Sequence, residues 1–144
     1  MHLKQEQQER GHRPAKRVIT FGTFDVLHVG HLRLLERASQ LGDALIVGVS
    51  SDALNYAKKS RYPVYNQNDR LSLIRSMRYV TDVFVEESLE LKRDYIVQHA
   101  ADVLVMGDDW AGKFDFCNDL CEVVYLGRTP SISTTEIIEV IRRG

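Results

Sequence analysis

The 144-residue chain has little of several features that define specialised classes of protein. Its two cysteines, Cys117 and Cys121, are too few for a disulfide framework, and no histidine beside them completes a zinc site. No apolar run approaches the ~20 residues that a membrane span needs. The net charge of -1 gives no broad basic surface for a nucleic acid. We therefore expect two packing thiols, no membrane span and no nucleic-acid partner.

The start of the chain also lacks a recognisable signal. Residues 1–17 are polar and charged, without the apolar segment of a secretory signal. We interpret residues 1–15 as a disordered leader and residues 16–144 as one domain, a size that suits a single core. Hydrophobic residues make up 44% and charged residues 27%, as in ordinary globular proteins. These features predict a cytoplasmic protein.

What the sequence does contain is an alternation of short apolar runs with amphipathic stretches. The runs predict strands at 17–21, 44–49, 80–85, 102–106 and 122–126. Helical spacing predicts helices from residue 30 to Gly42, after a cap at Asn68 or Asp69, near 91–99 and at 134–141, with a basic loop at 58–63. This order predicts a single doubly wound α/β domain with a mainly parallel five-stranded sheet. Such sheets bind ligands beyond the carboxyl ends of their strands.

Glycines and histidines follow the first predicted strand. Gly22 and Gly30 allow a ligand close to the backbone. His28 and His31 are three residues apart around the first turn of a helix, which can place both on one face. The helix start offers free N–H groups to a phosphate, and the histidines can donate hydrogen bonds to charge that develops there. The alternative, two structural histidines in a strand–helix turn, stays open from this motif alone.

A second donor-rich segment follows the fifth predicted strand. Ser133 and Glu136 have the spacing of a capping box, which makes Ser133 the expected N-cap. The N–H groups and hydroxyls of Thr134 and Thr135 can then surround an anion, and Arg128 can reach it. An ordinary capped helix beside a surface arginine is the alternative. Two such helix starts at one sheet edge favour the phosphate interpretation.

These segments resemble the two signatures of the cytidylyltransferase family. Residues 22–25 with 28–31 (GTFD and HVGH) resemble the first, and residues 128–129 with 132–135 (RT and ISTT) resemble the second. Residues 107–115 (GDDWAGKFD), 78–80 and 121–126 resemble the branch that acts on glycerol 3-phosphate. The resemblance spans roughly residues 16 to 141. It implies a Rossmann-like nucleotidyltransferase that joins the α-phosphate of CTP to a small phosphorylated alcohol and releases pyrophosphate. It also implies a homodimer and Mg²⁺ that is carried by the CTP.

The resemblance also implies roles for individual residues. Those implied in catalysis are His28, His31, Lys58 and Arg128. Those implied in nucleotide binding are Gly22, Thr23, Phe24, His28, Gly30, His31, Arg61, Arg128, Thr129, Ile132, Ser133, Thr134 and Thr135. Those implied in acceptor binding are Asp25, Lys58, Lys59, Arg78, Lys92, Asp108, Asp109 and Trp110. We assign no protein ligand to a metal and expect Asp25 mainly to fix its loop. A solvated lysine is the alternative for Lys92, and a surface ion pair is the alternative for Arg78.

The sequence departs from the family pattern at three positions. Val29 stands where an aromatic residue is usual, and Ser131, preceded by Pro130, stands where glycine is usual. The basic loop is one residue longer, which leaves open which of its cations takes each role.

The rival functions are transfer from ATP or to another polyol or sugar phosphate, and nucleotide-dependent regulation without turnover. An aminoacyl-tRNA synthetase shares the H-x-G-H pattern, but 144 residues leave no room for tRNA-binding domains.

Overall fold

A parallel sheet with helices on both faces forms the domain. The computed structural model describes residues 15–128, 130 and 133–144. The strands are β1 (Arg17–Gly22), β2 (Ala44–Ser50), β3 (Asp82–Glu86), β4 (Val103–Gly107) and β5 (Glu122–Leu126). The α-helices are α1 (Val29–Ser39), α2 (Asp52–Lys59), α3 (Gln67–Arg75), α4 (Lys92–Gln98) and α5 (Thr134–Arg143). All four strand pairs are parallel, in the order β3-β2-β1-β4-β5. The predicted doubly wound α/β architecture is confirmed.

Each face of the sheet has its own apolar cluster. On one face Val18 of β1 packs with Leu35 of α1 and Ile74 of α3. On the other face Ile19 packs with Ile96 of α4, and both cysteines are buried free thiols in this second cluster. Successive side chains of a strand point to opposite faces, so a sheet covered on both sides needs continuous apolar runs. The burial of Cys117 and Cys121 in this cluster confirms the packing role predicted for the two thiols.

Several predicted boundaries were wrong. β3 begins at Asp82 rather than residue 80, because a turn in which Val80 N–H donates to Met77 O precedes it. The first two residues of the predicted basic loop, Lys58 and Lys59, are instead the end of α2. This eight-residue helix was missed because its fully buried side chain is the polar Asn55. Helix α3 begins at Gln67, and its N-cap, Asn66, lies two or three residues before the predicted cap at Asn68 or Asp69.

The predicted leader falls almost entirely outside the described residues. Apart from Ala15, residues 1–15 lie outside the described residues, so the leader stays a prediction. In the described part of the chain, no helix combines the length and apolar character that crossing a membrane requires.

The strand order makes β1 the neighbour of both β2 and β4. The switch point, where doubly wound sheets bind ligands, therefore lies between the carboxyl ends of β1 and β4.

A fully buried arginine joins the loops around this switch point. Nη1 of Arg70 donates to the carbonyl oxygens of Thr23 and Ser50, each at 2.8 Å. Its Nε donates to Tyr65 O at 3.0 Å, and Nη2 pairs with Asp52 at 2.7 Å. The side chain is 0% exposed. One guanidinium thus connects three segments: the loop after β1, the junction between β2 and α2, and the segment that precedes α3. Nothing in the sequence pattern had pointed to Arg70.

Replacing Arg70 with methionine should destabilise the fold. Arg70→Met removes the guanidinium from three carbonyl oxygens and from the Asp52 carboxylate, and we expect the free energy of unfolding to fall by about 3 kcal/mol. Urea unfolding followed by circular dichroism measures this change. Arg75→Met is the matched control, since Arg75 is exposed on the same helix. Equal unfolding midpoints for the two variants would contradict the structural role given to Arg70.

Candidate active site

A cavity at the carboxyl edge of the sheet consists of two adjoining chambers. The histidine chamber, of about 330 Å³, is lined by His28, His31, Arg128 and the start of α5. The basic chamber, of about 650 Å³, is lined by the loop after β1 and by Lys59, Arg61 and Arg142. Both chambers are lined by His31, Gly107, Asp109, Thr134 and Thr135. The cavity therefore opens where the topology predicts a ligand site.

The two histidines are held by the backbone at the start of α1. His28 is the N-cap, and its Nδ1 accepts a hydrogen bond from Gly30 N–H at 3.0 Å. Nδ1 of His31 accepts from His28 N–H at 3.1 Å, and the two ring centroids are 3.8 Å apart. A nitrogen that accepts from an N–H carries no proton itself. Each neutral ring therefore has its proton on Nε2, where it is available to a ligand.

The surroundings keep both imidazoles neutral. Burial, reinforced by the neighbouring His28, lowers the pKa of His31 to about 4, although Asp25 opposes the shift. The pKa of His28 is also lowered, first by burial and then by the positive charge of Arg128. Near neutral pH the pair therefore consists of uncharged hydrogen-bond donors. Neutral donors can stabilise negative charge that grows on a phosphate without first forming an ion pair with it.

The start of α5 contributes the opposite wall. Ser133 Oγ accepts from Glu136 N–H at 3.2 Å, which confirms Ser133 as N-cap. The hydroxyl of Thr134 donates to Asp25 O at 2.9 Å and so joins this helix to the loop after β1. Arg128 lines the histidine chamber with them. Thr129 and Ile132, also expected at this wall, lie outside the described residues, as does the departure at Ser131.

The loop between β1 and α1 is strained and held by Asp25. Phe24 and Val26 have φ angles of 55° and 46°, a region that a β-branched residue such as Val26 enters only at a cost. The Asp25 carboxylate accepts backbone N–H bonds from Val26 at 3.1 Å, Val64 at 2.7 Å and Tyr65 at 2.9 Å. Its oxygens are thus engaged in positioning the loop, as the sequence had suggested.

Of the expected acceptor residues, Lys59, Asp109 and Trp110 line the basic chamber, and Asp108 lines the histidine chamber. Arg61, expected at the nucleotide, lines the basic chamber as well. Gly22, Thr23 and Phe24 line the basic chamber, and Gly30 lines the histidine chamber. Lys58 lines neither chamber. Burial is the largest cause of a lowered pKa at Lys58, and the negative charge of Glu86 opposes this shift.

Two further expectations differ from the structure. Arg78 lies in the turn before β3, at the opposite edge of the sheet, where it donates to the Tyr79 hydroxyl at 2.8 Å. Lys92 is 2% exposed, and its Nζ pairs with Glu86 at 2.6 Å, so it is neither a solvated lysine nor part of a chamber wall. Burial lowers its pKa, and Glu86 opposes that shift. Lys92 is the first residue of α4, whereas Arg78 lies beyond the end of α3 at Arg75, and the directions of both side chains depended on packing.

Two arginines at the cavity were missed by the sequence analysis. Arg37, in the last turn of α1, lines the histidine chamber, and its Nη1 donates to Gly127 O at 2.6 Å. It follows His31 and Leu34 at three-residue steps, so helical spacing from the histidines could have found it. Arg142, near the end of α5, lines the basic chamber. It follows Thr134 at two four-residue steps, which offers the same kind of signal.

Comparisons with known proteins identify the family of the chain. A family model described as cytidylyltransferase-like matches residues 19–140. The chain belongs to this family. It is 52% identical over 126 residues to the glycerol-3-phosphate cytidylyltransferase of Bacillus subtilis (strain 168), covering 88% of this chain and 97% of that protein. The Staphylococcus aureus (strain NCTC 8325 / PS 47) enzyme of the same name is 48% identical over 122 residues, covering 85% of this chain and 92% of that protein.

A solved structure extends the comparison to the fold. The crystal structure of the lipopolysaccharide core biosynthesis protein from Thermoplasma volcanium GSS1 superposes with a TM-score of 0.67 at 26% identity. The match covers 83% of this chain and 100% of that one. The likeness therefore extends to the fold of the whole domain.

The depressed pKa of His31 predicts a specific dependence of stability on pH in this cytidylyltransferase-like domain. Its pKa is about 4 in the folded chain against an ordinary 6.5, so the unfolded chain binds the extra proton first. Stability from this group is complete above about pH 6.5 and is lost as the pH falls towards 4. His31→Asn can keep an acceptor for His28 N–H but does not titrate. Its free energy of unfolding should decline less than that of the unmodified protein between neutral pH and about pH 5.

Urea unfolding at several pH values measures both proteins. The quantity to compare is the difference in unfolding free energy between the two proteins as a function of pH, which cancels the groups they share. Parallel declines would mean that His31 titrates normally in the folded chain.

Proposed function

We propose that this chain transfers the cytidylyl group of CTP to sn-glycerol 3-phosphate, forming CDP-glycerol and pyrophosphate. The observation that carries the proposal is the histidine pair, whose Nδ1 atoms are held by backbone N–H groups so that both Nε2–H groups are left for a phosphate. The chamber they line joins a second chamber rich in cations, which provides for two anionic substrates. The relatives that share most of the chain bear the name of this activity.

The reaction requires positioning more than proton transfer. A phosphate oxygen of the acceptor bonds to the α-phosphorus of CTP, while the bond from that phosphorus to the bridging oxygen of the β-phosphate breaks and pyrophosphate leaves. The attacking oxygen is already anionic, so no general base is needed. Nε2–H groups of His28 and His31 donate to the α-phosphate, and Arg128 with the start of α5 holds the departing pyrophosphate.

The acceptor belongs in the basic chamber. Lys59 and Arg61 line it, and no ion pair within the described residues engages either side chain. We assign the binding of the acceptor phosphate to these two residues in preference to Lys58, because Lys58 lines neither chamber. Asp109 and Trp110 follow β4 in a short 3₁₀ helix and close the same chamber. Gly22, Thr23 and Phe24 line this chamber as well.

Magnesium enters this scheme with the nucleotide. Mg²⁺ prefers phosphate oxygens and water, and bound to CTP it neutralises part of the triphosphate charge. Within residues 15–128, 130 and 133–144, no group of three or more histidine, cysteine or acidic side chains is arranged to hold a metal ion. Asp108 and Asp109 are the acidic residues that line the histidine chamber, and we assign no protein ligand to the ion.

The assembly and cellular role follow from the family resemblance. We propose a homodimer, the commonest symmetric state of small enzymes, acting in the cytoplasm. CDP-glycerol is an activated glycerol-phosphate donor. Its formation suits the supply of a glycerol-phosphate polymer such as a teichoic acid or capsule.

The first test is pyrophosphate release from CTP and Mg²⁺, with and without glycerol 3-phosphate. The proposal expects release that depends on the acceptor, and CDP-glycerol as the second product. Release only with ATP, or only with another polyol or sugar phosphate, would assign the site to a different nucleotidyltransferase. CTP binding without release for any acceptor would indicate a regulator.

The histidine mechanism predicts a selective loss of turnover. His28→Asn keeps an N-cap side chain that accepts from the backbone but lacks the Nε2 donor, so we expect an unchanged unfolding midpoint and a kcat lowered about 100-fold. His99→Asn is the control, because His99 caps the end of α4 and lines neither chamber. Steady-state kinetics with saturating CTP measures both. A His28→Asn enzyme as active as the control would remove the histidine from the mechanism.

A further inference from the structure

One stripe of α5 forms a wall of the basic chamber. Thr134, Ile138 and Arg142 are spaced four residues apart, and all three line this chamber. Residues at this spacing lie above one another on one helix face. The Thr134 hydroxyl fixes the start of the helix to the loop after β1 through its bond to Asp25 O. The direction of the stripe is therefore set at its start, where the two chambers meet.

Arg142 lies at the far end of this stripe. Thr134 lines both chambers, whereas Arg142 lines only the basic chamber. Eight residues of α-helix separate the two by about 12 Å. The reacting phosphate of the acceptor must meet the α-phosphorus beside His31, near Thr134. The end of the acceptor remote from its phosphate then points along the stripe towards Arg142.

The guanidinium of Arg142 is available to a ligand. Its side chain is 72% exposed, and its ion pair with Glu139 is long, at 3.8 Å. Exposed pairs of this kind contribute little free energy, so exchanging this partner for a ligand costs little. Of the two carboxylates that line the chamber, Asp25 is engaged by three backbone N–H groups. Lys59, Arg61 and Arg142 thus leave the chamber with excess positive charge.

We infer that Arg142 determines acceptor specificity by recognising the end of the acceptor remote from its phosphate. A guanidinium donates hydrogen bonds and accepts none, so it favours an end that carries hydroxyl or acidic groups. It repels an end that carries an ammonium group. The class of acceptor is therefore a phosphorylated polyol or a phosphorylated hydroxy acid, rather than a phosphorylated amino alcohol. This inference rests on the proposed transfer from CTP.

The test compares two acceptors of similar size and opposite terminal character, glycerol 3-phosphate and ethanolamine phosphate. The quantity measured is the ratio of their kcat/KM values at saturating CTP. For Arg142→Glu we expect this ratio to fall at least about tenfold, because a donor to the hydroxyls is replaced by an attractive partner for the ammonium. Arg142→Ala should raise the KM for glycerol 3-phosphate and leave the KM for CTP unchanged.

The neighbouring arginine supplies the matched control. Arg143→Glu makes the same charge change at an exposed position that does not line the chamber, and it should leave the ratio unchanged. Equal ratios for the two variants, or an effect of Arg142→Ala on CTP rather than on the acceptor, would overturn the inference. Failure of the unmodified protein to transfer from CTP to any acceptor would instead overturn the proposed function, so the two failures are distinguishable.

Discussion

The buried guanidinium of Arg70 is the constraint on which the cavity depends. A parallel sheet ends in carbonyl groups and loops that have no further strand to pair with, and here Arg70 donates to the carbonyls of Thr23 and Ser50 at the ends of neighbouring strands. Its bond to Tyr65 O brings in the segment whose N–H groups hold Asp25. The strained residues on either side of Asp25 are therefore held by the bond from Arg70 to Thr23 O and by the bonds from the N–H groups of residues 64 and 65 to Asp25. Because a buried charge is costly unless fully paired, this arrangement has few alternatives.

Helix α1 performs two tasks with the same side chains. Its first turn is capped by His28, and the cap bonds decide which ring nitrogens carry protons. The face that continues from His31 through Leu34 ends at Arg37, which holds the carbonyl of Gly127 just before Arg128. A rigid helix thus sets the histidines and the chain next to Arg128 in one frame. Catalysis that relies on positioning benefits from such a frame, since the donors need no rearrangement as charge develops.

Much of the site was predictable because its residues are close together in sequence. The histidine motif and the capped start of α5 are local patterns, and local backbone geometry suffices to expose their N–H groups. Arg78 and Lys92 show the limit of this reasoning. Their sequence contexts match the family segments, yet one side chain pairs with Tyr79 at the far edge of the sheet and the other is buried against Glu86. The direction of a long side chain depends on partners that are distant in sequence.

The sequence by itself determined the parallel sheet, the edge of the sheet where the cavity lies and the family, because periodicity and short motifs are local properties of the chain. Only the tertiary structure decided that Lys59 and Arg61 line the basic chamber while Lys58 does not, that Arg70 connects three segments, and that Arg37 and Arg142 belong to the cavity walls. The physical reason is that each of these facts depends on contacts between residues tens of positions apart. Such contacts exist only after the two faces of the sheet have been buried and their helices have taken fixed directions.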